Sequence, residues 1–207
     1  MAEHGALVKF GHQQHLIQLR DDGLLYMNTL LYFWGIEDGG LRGDVCDSVD
    51  EIARGHEGEV TLANATKAPL KITNWTLRIQ PPEAEKINVF CMYALRPSAG
   101  TFPVDQKNLQ FGDYALVVAD AQQFIDRIGS HMESKAIRGK AGLVEYVDNE
   151  YTGAVGPFRK LMSFAYQSEW RLVCYDGAGG PRTIRIGSIA DISTIMLSSE
   201  VNQRITV

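Results

Sequence analysis

A carboxylate and a side-chain amide, Gln167 and Glu169, stand two residues apart at the entry to an apolar run in Phe164-Ala-Tyr-Gln-Ser-Glu-Trp-Arg-Leu-Val173. In extended chain, residues i and i+2 project to the same side, so the pair can address one ligand together. The amide offers a donor and an acceptor. The ionised carboxylate accepts hydrogen bonds from sugar hydroxyls or balances a developing positive charge. The competing reading is a surface Gln and a surface Glu, with Arg171 as ion partner. On spacing alone that reading stands in front, because short motifs recur by chance.

Other residues capable of chemistry form weaker patterns. His12 and His15 are spaced to share a helix face, one way of presenting two imidazoles to zinc, but no third ligand stands nearby and His4, His56 and His131 are scattered. No metal is expected. Phosphate-loop, nucleophile-elbow and G-x-G-x-x-G patterns are absent. Arg42-Gly-Asp44 lies in a polar stretch with Glu37, Asp38, Asp47, Asp50 and Glu51, which reads first as a solvated face. Arg127, Lys135, Arg138 and Lys140, with Arg159 and Lys160, make the one sizeable basic cluster. It reads as an ordinary charged face, and as a nucleic-acid track only if helix and loop come together.

The elements that must position these groups are mostly strands. A strand at Ala6 to Phe10 leads into a helix from His12 to Asp22, which Gly23 is expected to stop. Leu24 to Phe33 suits a pleated surface. The glycine-punctuated stretch that follows, through Gly58, is a candidate functional loop with a short helix at Asp47 to Arg54. Further strands are expected at Glu59 to Asn64, Leu70 to Ile79, Ile87 to Leu95 and Phe111 to Val118. Asp120 then caps a helix whose Phe124, Ile125, Ile128 and Met132 share one stripe. Strands return at Leu143 to Val147, Glu169 to Tyr175, Thr183 to Ile186 and Ile195 to Leu197, with Gly177 to Pro181 as a hairpin-type connection. Helices are too few and too irregularly placed for a doubly wound parallel sheet, so the class is α+β with a mainly antiparallel core.

The 207 residues, 45% hydrophobic and 22% charged, suffice for one sizeable core, and a single domain spanning 1–207 is expected. A net charge of −5 gives no general pull toward polyanions. Cys46, Cys91 and Cys174 form no C-x-x-C pair and no disulfide framework, which points to a reducing setting. The first residues lack the pattern of a secretory signal and no apolar run reaches bilayer-spanning length. A cytoplasmic protein without membrane partners is therefore expected.

The Gln-x-Glu step leading into a hydrophobic strand resembles the third motif of ADP-ribosyltransferase domains. Leu7-Val-Lys-Phe-Gly-His12, followed by a helix ending at Gly23 and a strand from Leu24 to Tyr26, is similar to the opening of nucleic-acid-modifying bacterial ADP-ribosyltransferase toxins. The resemblance implies a split, mainly antiparallel core with few flanking helices, NAD as cofactor, Glu169 as the carboxylate facing the ribosyl cation, and Gln167 as the acceptor-selecting residue. Lys9 and His12 are the nearest equivalents of the family's NAD-gripping His or Arg. Met27-Asn28-Thr29 and Tyr93 are both candidates for the middle motif, leaving Asn28, Thr29 and Tyr93 as NAD contacts, and Arg42 would touch the pyrophosphate from a lid. Transfer of ADP-ribose to a macromolecule follows, with nucleic acid as acceptor because a neutral amide stands where arginine-modifying enzymes carry Glu. A toxin or phage-defence role with a neutralising partner protein is implied. The alternative is a nucleotide-binding or protein-interaction module of the same fold without catalysis, which Lys9 in place of His or Arg favours.

Overall fold

The computed structural model describes residues 5–35, 46–61, 63 and 68–205. Strand β1 (Ala6–Gly11) runs into helix α1 (Gln13–Asp22), and Gly23 ends that helix in the left-handed conformation at φ 62°. Strand β2 (Leu24–Thr29) follows, then the short helix α2 (Leu30–Trp34). A long hairpin comes next, β3 (Glu51–Val60) and β4 (Leu70–Ile79), then β5 (Asn88–Leu95). The one-turn α3 (Gln106–Leu109) precedes β6 (Tyr114–Val118) and the long α4 (Ala121–Ser134). After it come β7 (Gly139–Leu143), β8 (Glu145–Val147), β9 (Gly153–Ala154) and β10 (Arg159–Leu161). The chain closes with β11 (Glu169–Cys174), β12 (Arg182–Arg185), β13 (Ser193–Leu197) and α5 (Val201–Arg204).

Eight strands join in one antiparallel sheet with β5 at its centre. One edge of β5 pairs with β11 from Asn88 to Tyr93. Its other edge is shared: β1 takes Tyr93 to Leu95 and β2 takes Asn88 and Val89. Between them, Phe90 to Met92 have no ladder partner on that side among the described residues. The sheet splits there, and the Lys9 side chain bridges the wedge, its Nζ donating to the Cys91 carbonyl at 2.7 Å. One parallel pairing occurs among the described residues, β8 with β10. The molecule is thus mixed α and β with mostly antiparallel sheet, as expected.

The main core lies on one face of this sheet. Leu7, Leu25, Met27, Phe90, Met92, Leu116, Trp170 and Leu172 meet Leu16 and Leu19 of α1 and Phe124 and Ile128 of α4 there. Asp120 accepts from the Gln123 amide and caps α4. Phe124 and Ile128 are buried, while Ile125 is half-buried at the margin. With both long helices on one face, the opposite face is left to short elements and to a cavity.

Four local expectations are corrected. Leu24 to Phe33 is not one extended run, because Thr29 caps a helix beginning at Leu30. Asp47 to Arg54 forms no helix: it holds turns and then the start of β3, whose Ile52 is fully buried. Leu143 to Val147 breaks at Val144, where the amide bonds to the Glu169 carbonyl and the chain leaves the large sheet. Gly177 to Pro181 is not a hairpin, since β11 pairs with β5 and β12 with β2. That connection crosses the end of β5, close enough that a Cβ on Gly177 would lie 2.3 Å from Asn88 Oδ1. The strand expected at Glu59 to Asn64 corresponds to the end of β3, its remainder lying partly outside the described residues.

Candidate functional site

On the sheet face away from α1 and α4, side chains alternate along three neighbouring strands to floor a cavity of about 210 Å³. Val8 and Phe10 come from β1, Val89, Cys91 and Tyr93 from β5, and Glu169 and Arg171 from β11, with Lys9 entering through the wedge. Leu30, Phe33 and Trp34 of α2 form one wall, Asp47 and Ser48 another, and Asn108, Phe111, Lys160 and Gln167 complete it.

Glu169 and Gln167 converge by a route other than strand alternation. The strand begins at Glu169. Ser168 is left-handed at φ 38°, and Gln167 ends a 3-10 turn running from Met162. Ser168 Oγ donates to the Ala94 carbonyl at 2.9 Å, and the Ala94 amide donates back to the Ser168 carbonyl, locking the bend. Lys160 then gathers both side chains, with Nζ 2.6 Å from Gln167 Oε1 and 2.9 Å from Glu169 Oε1. Lys160 arrives on β10 opposite Tyr146 of β8, whose hydroxyl oxygen accepts from the Glu169 amide at 2.9 Å.

The cluster extends through Arg171. Its Nε donates to Glu169 Oε2 at 2.6 Å, and its other nitrogens reach Asp47, Ser48 and the Pro157 carbonyl. Lys160 also approaches Asp47 Oδ2 at 3.2 Å. Two cations and two carboxylates therefore share a nearly dry site, with Arg171 and Lys160 only 2% and 3% exposed. Burial opposes every one of these charges, yet each outlasts it. Arg171 and Lys160 outweigh desolvation and hold Glu169 down at about 2, and they hold Asp47 further below the usual carboxylate range. The two carboxylates in turn raise Lys160 and Arg171 above their ordinary values despite burial. Burial, with the Glu169 charge adding to it, pushes the Cys91 thiol up to about 12, so it is no nucleophile at neutral pH.

Of the eight residues named for catalysis and NAD contact, four line this cavity: Glu169, Gln167, Lys9 and Tyr93. The Tyr93 hydroxyl donates to the Thr101 carbonyl, so this residue presents its ring to the cavity beside Phe10. Asn28 and Thr29 do not line it; Asn28 pairs with Val89, and Thr29 accepts from the Tyr32 amide, so the two end β2 and start the α2 wall. His12 is exposed at the start of α1, its ring 6.0 Å from that of His15, away from the cavity. Arg42 lies outside the described residues. Among the described residues no His, Cys, Asp and Glu grouping could hold a metal ion, and no helix is long and apolar enough to cross a membrane.

The basic cluster is partly neutralised or buried. Lys160 is buried in the ion network, Arg127 pairs with Asp191 and Arg159 with Glu145. Sequence reading missed Lys160 as a partner of Glu169, and Asp47 and Ser48 as partners of Arg171. Arg171 carried a signal, since it stands two residues from Glu169 on the same strand face. Asp47 carried none, because its contact depends on tertiary closure.

No protein-family model matches the chain, and neither a curated protein nor a solved structure does.

Proposed function

We propose that this chain is an NAD-dependent ADP-ribosyltransferase. The observation that carries the reading is the Gln167–Glu169 pair, set with Lys9 beside a cavity where β1 and β2 part along one edge of β5. The rings of Phe10, Phe33, Trp34 and Tyr93 suit a planar heterocycle. The volume of about 210 Å³ fits the nicotinamide-ribose end of the dinucleotide rather than the whole. Glu169 is ionised at any working pH, as a group opposing a ribosyl cation must be. In the reaction the C1′–N bond of the nicotinamide riboside breaks and nicotinamide leaves with the electron pair. An acceptor atom then attacks C1′ and gives up its proton.

The acceptor in this reading is nucleic acid. Support comes from the residue type at Gln167, a neutral amide where a second carboxylate would draw a guanidinium. Incubation with labelled NAD and, in parallel, RNA, single-stranded DNA and a protein extract tests both parts. Label is expected on nucleic acid. Label on protein alone overturns the acceptor, and no released nicotinamide with no label anywhere overturns the enzyme class.

One observation favours a second reading, a nucleotide-binding module without catalysis. Both oxygens of Glu169 already accept from cations, Oε1 from Lys160 and Oε2 from Arg171, and with Asp47 as the second carboxylate the network carries no net charge. Calorimetry separates the two: heat of binding with NAD but no turnover supports the module.

A further inference from the structure

The hairpin of β3 and β4 lends no residue to the lining of the cavity and carries large apolar side chains in the open. Leu70 is 62% exposed, Leu77 54%, Ile79 43% and Val60 40%. Gly55 pairs with Trp75 and Gly58 with Ile72. A Cβ on Gly55 would meet the Trp75 indole, and one on Gly58 would meet both that indole and Ile72, so these two glycines form the bed on which Trp75 lies. Trp75 and Ile72 therefore share a face. By strand alternation Leu70 goes with Ile72, and Leu77 and Ile79 go with Trp75. The switch of parity between the halves falls at Asn74, which is left-handed at φ 49° and whose Oδ1 lies 3.2 Å from His56 Nδ1. One continuous apolar stripe results. Among the described residues β4 pairs with β3 alone, so its outer edge keeps backbone donors and acceptors without a ladder partner.

We propose that this edge joins the same edge of a second copy of the chain, making a two-fold dimer through antiparallel β4 strands. The occupant is argued from the strand itself. With the axis between Thr73 and Asn74, Leu70 lies opposite the other copy's Leu77, Ile72 opposite its Trp75, and Lys71 opposite its Thr76. Every large apolar residue from Leu70 to Leu77 then meets another, and no like charges face each other. Sliding by one residue sets Lys71 against Leu77 and Arg78 against Leu70. Sliding by two sets Lys71 against Arg78. The bend at Asn74 also selects for a copy: a pairing strand must bend at the same place, and the two-fold register brings the other Asn74 beside the axis. Such a contact is self-complementary and closes at two subunits instead of growing.

Sedimentation of the full chain over a concentration series is expected to show a monomer–dimer equilibrium. Leu77→Lys, at an exposed position, is expected to shift it to monomer while leaving the circular dichroism unchanged. For the register, Leu70→Cys with Leu77→Cys in one chain is expected to cross-link into a dimer under mild oxidation, and each single variant to stay monomeric on a denaturing gel. A wild-type chain that is monomeric throughout, a dimer that survives Leu77→Lys, or a cysteine pair that does not cross-link overturns the proposal. The cysteine pair decides the matter if the lysine variant does not fold.

Discussion

Asp47 holds the guanidinium of Arg171 with both carboxylate oxygens, at 2.7 and 2.8 Å, across 124 residues of sequence. Trp34 Nε1 donates to the Asp47 carbonyl at 2.7 Å, and Ser48, left-handed at φ 57°, donates its hydroxyl to the same carboxylate. This contact ties the chain entering β3 to the strand that carries Glu169. It also fixes two walls of the cavity relative to each other.

Arg171→Met is expected to cost about 3–5 kcal/mol, because it leaves Asp47 and Glu169 buried with Lys160 as their one remaining cation. That is a large part of the roughly 5–15 kcal/mol available to a domain. Asp47→Asn alone should also destabilise, by leaving part of the guanidinium unpaired. The double variant should lose less than the sum, with a coupling of about 0.5–3 kcal/mol in urea unfolding. Additive losses would mean that the two side chains do not depend on each other.

The network sets a direction for pH dependence. Glu169 sits at about 2 in the folded chain, against about 4.3 for an unfolded Glu. The unfolded chain therefore takes up a proton first as pH falls. The stabilisation is complete above the unfolded value and is lost progressively as pH drops through the interval toward 2. Asp47 acts in the same direction and is lost lower still. Lys160, raised in the folded chain, contributes below its unfolded value and loses that contribution as pH rises past it. Urea midpoints should fall steeply on acidification, and less steeply for Glu169→Gln. A wild-type midpoint that is flat over that acidic interval would contradict this account.

Thr29→Ala is expected to cost about 1 kcal/mol through loss of the cap on α2. It should also weaken binding of any cavity ligand, because Leu30, Phe33 and Trp34 hang from that helix. Thr29→Ser restores the acceptor oxygen and should restore both. Were Thr29 a direct ligand contact, affinity would change with no matching change in thermal unfolding.

What the sequence discloses here follows the range of the interactions involved. α4 was legible because Asp120, Phe124 and Ile128 act within a few turns, and β4 matched its expected bounds because Pro69 and the Pro81-Pro82 pair bracket it. The helix starting at Leu30 was not, since its apolar residues suit a strand equally well and one threonine cap decides between them. The Gln167–Glu169 pairing was anticipated for a reason the structure replaces: a left-handed Ser168 and a lysine seven residues before Gln167 do what an extended strand was expected to do. The charge balance around Glu169 was out of reach, because a sequence does not reveal that Asp47 and Lys160 end up beside the same guanidinium.

The walls of the cavity come from segments spread between Val8 and Arg171, none of which meets its neighbours through local contacts alone. The β3–β4 hairpin, by contrast, closes between strands adjacent in the chain. Because non-local closure carries the larger entropic cost, the hairpin can form before the sheet is complete, whereas the cavity exists only once β1, β5 and β11 are in register. An incompletely folded molecule would then display its apolar hairpin while lacking any place to hold a ligand. Capture of a cavity ligand during refolding would time the last step of assembly.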